Sequence, residues 1–217
     1  MKIISLSNNE AGYACAVGTS IKKYYKNNIK TNFFDYLVVS MNSVNEILCM
    51  VNLDLLKDNI KIEKSHENTS IITWKYFDKL ISYHDLKLNF EKTDYIQFFN
   101  KYKRRWIRLL HFIYEEDIIF FIRYGDITKD ELNKFYNNIN NLNDKLIFYF
   151  IHVNCDKNNN DKQEEFKYFK NYIYVNFNLI NCTQNNITDI YYKVLDYNWD
   201  FVFKIIEKNY HYFLNNK

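Results

Sequence analysis

Proline is absent from this chain and glycine occurs only three times in 217 residues. Turns and helix ends must therefore be set by Asn, Asp and Ser, which tolerate left-handed backbone and cap helices. Asn-rich stretches are accordingly read as turns before they are read as low complexity. Alanine and arginine are scarce too, while Asn, Lys, Ile and Tyr abound, the bias that an AT-rich genome imposes through its codons. No glycine-rich phosphate loop, HExxH or GxSxG motif is present. The four cysteines, Cys15, Cys49, Cys155 and Cys182, form no CxxC pair and no metal-ligand spacing. They read as reduced thiols and not as a disulfide framework, and no metal or other cofactor is expected. A net charge of +3 is too small to make nucleic-acid binding a property of the whole chain. No stretch approaches the ~18 apolar residues of a membrane span, and Met1–Leu6 is too short for a signal. The expectation is a cytosolic chain without a membrane partner.

Aromatic residues are what the chain has in quantity. Twenty Tyr, eighteen Phe and three Trp supply much of the burial, since each ring removes roughly 150–250 Å² from water. Disorder needs few aromatics and high net charge, and the reverse holds here. With no linker and no internal repeat, residues 1–217 are expected to form a single domain.

Hydrophobic patterning orders the elements. Lys2–Leu6 reads as a short buried strand, and Ser7-Asn8-Asn9-Glu10 has the form of a capping box ahead of a helix over Gly12–Tyr25. Phe33–Ser40 is β-rich, Val44–Leu56 helical, and Ser70–Phe77 a strand. From Thr93, the residues Tyr95, Phe98, Phe99, Tyr102, Trp106, Leu109, Leu110 and Ile113 recur at the spacing of one helical face. Asp117–Arg123 and Lys145–Val153 are apolar on both faces, as central parallel strands are. Between them Thr128–Leu142 is a helix capped by Thr128 and Glu131. Asn158–Glu165 reads as a polar loop, Tyr172–Phe177 as a strand, and Ile187 onward as helical. This alternation predicts an α/β fold with a mainly parallel central sheet flanked by helices.

Several residues carry candidate chemistry. Cys15 follows Gly12-Tyr13-Ala14 near a helix start, where the helix dipole and free N–H groups stabilise a thiolate. A helix beginning at Asn8 would instead put it in the second turn, and a free cysteine is also a common small core residue. His84-Asp85 precedes the long helix and offers an imidazole base with a neighbouring carboxylate. His152, inside an apolar strand, reads as a hydrogen-bonded core residue; His66, His111 and His211 have no motif context. Lys101, Arg104, Arg105 and Arg108 form an arc beside the apolar face of the long helix. That arc either binds phosphate or another anion, or is a solvated flank whose alkyl stems cover the core. Arg123 ends an apolar strand at the carboxyl edge, where open α/β sheets place their ligands.

Taken in order, these blocks resemble a family catalogued as papain-like cysteine peptidases of unknown function. The resembling residues are Ile3-Ile4-Ser5-Leu6, Gly12-x-x-Cys15, Phe34-Asp35-Tyr36, His84-Asp85, Lys101-Tyr102-Lys103-Arg104-Arg105-x-x-Arg108 and Phe121-Ile122-Arg123, spread over roughly residues 1–155. Ser7 stands where the family pattern has Gly, Phe33 where it has Pro, and Tyr36 where it has Trp. The resemblance implies a cysteine-dependent hydrolase. Cys15 would attack a carbonyl, His84 would act as base and then acid, and Asp85 or another carboxylate would orient the imidazole. Arg123, Arg104 and Arg108 would bind an anionic part of the substrate, a protein or an anionic small molecule. The alternative is a non-catalytic α/β interaction module, of viral or parasite origin and directed at host components, in which these residues are structural.

Overall fold

The computed structural model describes residues 1–8, 16–26, 29–57, 60–64, 69–154, 164–168, 172–178 and 199–215. The elements run β1 (Lys2–Ser5), α1 (Ala16–Tyr24), β2 (Leu37–Val39), α2 (Met41–Leu48), a 3₁₀ turn (Leu53–Lys57), β3 (Ile60–Lys64), β4 (Thr69–Trp74) and β5 (Leu80–Lys87). They continue with α3 (Lys92–Glu115), β6 (Ile118–Tyr124), α4 (Lys129–Leu142), β7 (Ile147–Asn154), β8 (Glu164–Tyr168), β9 (Tyr172–Asn178) and α5 (Trp199–Asn215). The chain is mixed α/β. No helix among the described residues is long and apolar enough to cross a membrane.

Five strands form the first sheet in the order β1-β6-β7-β9-β8. β1, β6, β7 and β9 are parallel to their neighbours, and only β8 runs antiparallel, against β9. The sequence reason is the double-sided apolar character of β6 and β7. In β6, Ile119 and Phe121 enter a core shared with α2, α3 and α4, while Ile118, Phe120 and Ile122 enter a second core with α1 and α5. Successive side chains of a strand point to opposite faces, so only a run apolar throughout can serve two cores. The strands expected at 117–123, 145–153 and 172–177 are thus neighbours in one parallel sheet.

A second sheet, not anticipated from the patterning, is antiparallel in the order β2-β5-β4-β3. Its inward residues, among them Leu37, Ile72, Trp74, Leu80 and Leu86, join the larger core with Phe98, Phe99, Tyr102, Trp106, Leu109 and Ile113 of α3. The long helix therefore buries the face its periodicity predicted. Asparagine does much of the work that glycine and proline do elsewhere. Asn143 Nδ2 ties the end of α4 to the Ile113 carbonyl of α3 at 2.8 Å, and Asn45 Nδ2 and Asn138 Nδ2 cross-bond α2 and α4. Thr128 caps α4 with Glu131 as expected.

Several boundaries differ from the sequence expectation. Ser7 has a φ of 55°, not the extended conformation of an N-cap, and its hydroxyl donates to the Leu37 carbonyl. The β-rich run from Phe33 narrows to Leu37–Val39, and α2 starts at Met41 behind the Ser40 cap and stops at Leu48. Glu164 and Glu165, expected in a loop, belong to β8, where backbone pairing with β9 is indifferent to side-chain polarity. The rest of that loop, 158–163, and the stretch 187–198 lie outside the described residues, as do His66, Cys155 and Cys182.

Trp106 is nearly buried, with a ring nitrogen that has no hydrogen-bond partner. Trp106→Ala should cost about 3–5 kcal/mol in unfolding free energy as a large cavity. Trp106→Phe, which also removes an unsatisfied donor, should cost less than half of that, as read by denaturant melts of both variants.

Candidate anion site

α3 carries Lys101, Arg104, Arg105 and Arg108 at spacings that place them on one flank of the helix. Because the adjacent face packs Phe98, Tyr102, Trp106 and Leu109 into the core, this flank cannot turn away from its neighbours. It forms one wall of a cavity of about 460 Å³, completed by Lys22 of α1 and by Ile29, Lys30 and Thr31 of the segment before β2. Among the described residues, eight line the cavity, of which six are cations and none is a carboxylate.

Neutral groups hold several of these cations in place. Lys22 Nζ donates to the Tyr36 hydroxyl at 2.7 Å and lies 4.5 Å above that ring. Arg108 Nη1 donates to the Thr31 carbonyl at 2.7 Å, which fastens the loop wall to α3. The Arg105 guanidinium lies 5.3 Å from the centre of the Tyr102 ring, and its Nη1 is buried without a hydrogen-bond partner. A cation positioned by hydroxyl, carbonyl or ring keeps its charge available to a ligand. Among the described residues, Lys101 alone of these cations pairs with a carboxylate, that of Asp85.

Asp85 anchors α3 to the second sheet. Its carboxylate accepts from Ser82 Oγ at 2.8 Å, from Lys101 Nζ and from the Tyr102 hydroxyl. Burial alone would raise its pKa, but Lys101, Tyr102 and Ser82 outweigh burial and hold the carboxyl below its ordinary range. Burial, reinforced by Asp85, pushes the Tyr102 phenol far up. The β4–β5 register steps from Ser70↔Leu86 to Ile72↔Ser82, so β5 bulges over Tyr83–Asp85. Bulges re-aim side chains, and this one directs Asp85 onto α3.

One carboxyl lies behind the cavity. Asp35 is 4 % exposed and accepts from Asn32 N at 2.9 Å and Asn32 Nδ2 at 2.8 Å. Gly18 of α1 makes room for it, since a Cβ there would stand 3.0 Å from Asp35 Oδ1. Burial raises Asp35 to about 6, while the Asn32 hydrogen bonds and the charges of Lys22 and Arg105 act in the other direction.

Arg104 and Arg108 are thus brought together in the cavity wall, and Asp85 adjoins it through Lys101. Arg123 lies elsewhere, fully buried where the two sheets meet, with Nη1 donating to Leu6 O at 2.7 Å and Val39 O at 2.9 Å. Cys15, one position before α1, is outside the described residues, as is the His84 side chain, although the His84 backbone belongs to β5. His152 is the core histidine expected, bonded to the Tyr174 hydroxyl at 2.8 Å and the Gly125 carbonyl at 2.7 Å, and burial lowers its pKa. Cys49 is a free, exposed thiol. No metal-binding cluster of His, Cys, Asp or Glu occurs among the described residues. Sequence reasoning missed Lys22, Lys30 and Asp35 as parts of one site; only the basic end of α1 hinted at it.

Asp35 yields a stability prediction with a definite sign. Its folded pKa lies above the ordinary 3.8, so the contribution is complete below pH ~4 and is lost as pH rises through 6. Relative to Asp35→Asn, the unfolding free energy of the native chain should fall by roughly 2 kcal/mol between pH 4 and 7. A difference that stays flat with pH in urea melts would contradict it.

Comparison with protein-family models, curated protein sequences and solved structures returned no match, so the site is interpreted from its own residues.

Proposed function

We propose that this chain binds an anionic small molecule in the basic cavity between α1, the 29–31 segment and α3. The observation that carries the reading is the lining itself, six cations and no carboxylate among the described residues around about 460 Å³. Like charges gathered in a concave surface repel one another, and a cavity wall of low dielectric concentrates their field. The cations are also held by Tyr36, Thr31 and Tyr102, so little side-chain entropy is lost when an anion arrives. The volume falls in the range that whole small molecules occupy. Of the two interpretations of the basic arc, anion recognition therefore has more support than a solvated flank.

The test uses Lys30 and Arg104, both exposed and so replaceable without disturbing the core. Isothermal titration with inorganic phosphate and with citrate should show saturable binding of at least one of them to the native chain. Lys30→Glu with Arg104→Glu should abolish it while the melting temperature stays within a few degrees. Equal binding by native and doubly substituted chains would remove this cavity from consideration.

A second reading, cysteine-dependent hydrolysis of the bound anion, is supported by sequence position and by the family resemblance. Cys15 directly precedes α1, whose Lys22 lines the cavity, and His84 adjoins Asp85, which bonds Lys101. In this reading the Cys15 thiolate adds to a substrate carbonyl carbon and His84 passes a proton to the departing group. Water, deprotonated by the same imidazole, then cleaves the thioester and returns the thiol. Cys15 should alkylate with iodoacetamide at about pH 6 far faster than Cys49, Cys155 or Cys182, because an imidazolium partner stabilises its thiolate. His84→Ala should remove the advantage and leave the fold intact; four equally slow thiols would end the hydrolase reading.

A further inference from the structure

We infer that the ligand of the basic cavity is a multiply phosphorylated small molecule, recognised through clustered phosphate groups and not through an aromatic base. The inference rests on the anion-binding proposal and narrows its ligand class.

Charge number is the first argument. Lys22, Lys30, Arg104, Arg105 and Arg108 have no carboxylate ion-pair partner among the described residues, and Lys101 is neutralised by Asp85. One phosphate group carries a charge of about −1.5 to −2 at neutral pH. Asp35, behind the cavity, offsets part of the charge of Lys22 and Arg105; a single phosphate would still leave about half of the remaining positive charge uncompensated, whereas two phosphates match it.

The kind of donor narrows the ligand further. Three guanidinium forks stand within two turns of α3, and arginine is the residue whose planar fork matches phosphate oxygens in pairs. Two ammonium groups, from Lys22 and Lys30, come from different elements, so charge reaches the cavity from more than one direction. Arg105 Nη1 is a buried donor without a partner, and its desolvation is uncompensated until an oxygen acceptor binds.

The described lining is also poor in groups that would recognise a nucleoside. Among the described residues, Ile29 is its single apolar one, and none offers an aromatic ring on which a base could stack. The nearby Tyr102 ring is 1 % exposed and lies beneath Arg105. Nor do the described residues of the lining include a carboxylate to accept from sugar hydroxyls. Discrimination in such a cavity comes from density of negative charge, which a phosphate chain or a polyol bearing several phosphates supplies.

The test is isothermal titration of the full chain at neutral pH and about 0.15 M salt, where exposed charges are screened within ~8 Å. The probes are tripolyphosphate, inositol hexakisphosphate, orthophosphate, citrate, ATP and a single-stranded oligonucleotide. Tripolyphosphate or inositol hexakisphosphate should bind about 100-fold more tightly than orthophosphate or citrate, with ATP no tighter than tripolyphosphate. Whichever of the two leading probes binds better identifies the ligand as a chain or as a polyol. Lys30→Glu with Arg104→Glu should erase the preference, and Arg105→Gln should weaken it without unfolding the chain. Orthophosphate or citrate binding as tightly as the polyphosphates would overturn this inference and leave the anion-binding proposal standing. ATP binding more tightly than tripolyphosphate, or an oligonucleotide doing so, would overturn it in favour of base or nucleic-acid recognition. No binding by any probe would overturn both.

Discussion

The two sheets meet at one buried guanidinium. Arg123 is the penultimate residue of β6 and is wholly removed from solvent, yet burial brings its pKa down only to about 10, so it stays charged at neutral pH. Its Nη1 donates to Leu6 O, just past β1 of the parallel sheet, and to Val39 O at the end of β2 in the antiparallel sheet. The same junction carries the backbone bond from Val39 N to Asn8 O and the parallel bridge between Asn8 and Val38. A buried charge is costly unless hydrogen bonds satisfy it, and carbonyl oxygens aimed at it from both sheets do so in part. Gly125, at a φ of 92°, completes the junction, because a Cβ there would stand 2.8 Å from Asn8 Nδ2. Strand β2 holds its place through these contacts, and the loop before it supplies a wall of the cavity.

From that junction the site follows by packing. α3 lays six large side chains into the core shared by both sheets, which leaves its basic flank facing α1 and the 29–31 segment. Asp85 then fixes the rotation of the helix by binding Lys101 and Tyr102 together. Asp35, behind the opposite wall, sits under Gly18 and within the fields of Lys22 and Arg105. The cavity exists because three elements distant in sequence are held by core packing and by Asp85, with Arg108 tying the 29–31 segment to α3. That is the arrangement a preorganised anion site requires.

Legibility in the sequence depended on whether a pattern was local. β6 and β7 could be read because burial on both faces demands an uninterrupted apolar run. α3 could be read because its apolar residues recur at helical spacing over many turns, and α4 because Thr128 and Glu131 form a capping box. β3 could not be read: most of Ile60–Lys64 is exposed, and it is a strand only because β4 pairs with it. β5 was missed because its bulge breaks the alternation that marks a strand. Ser7-x-x-Glu10 misled, since its form is that of a cap while the Ser7 backbone is left-handed and its hydroxyl serves the junction with β2.

By itself the sequence determined the α/β class, the parallel strands at the centre, the buried face of the long helix and the basic arc beside it. These are properties of periods and runs within one segment, and side-chain geometry along a helix or strand is enough to impose them. The tertiary structure decided the second sheet, the burial of Arg123 between the sheets and the convergence of Lys22 and Lys30 on the arginines of α3. No local rule relates a lysine in α1 to arginines some eighty residues later. Only the packing of α1 and α3 against the shared framework brings those charges around one space, and it is their proximity, not their number, that makes the site.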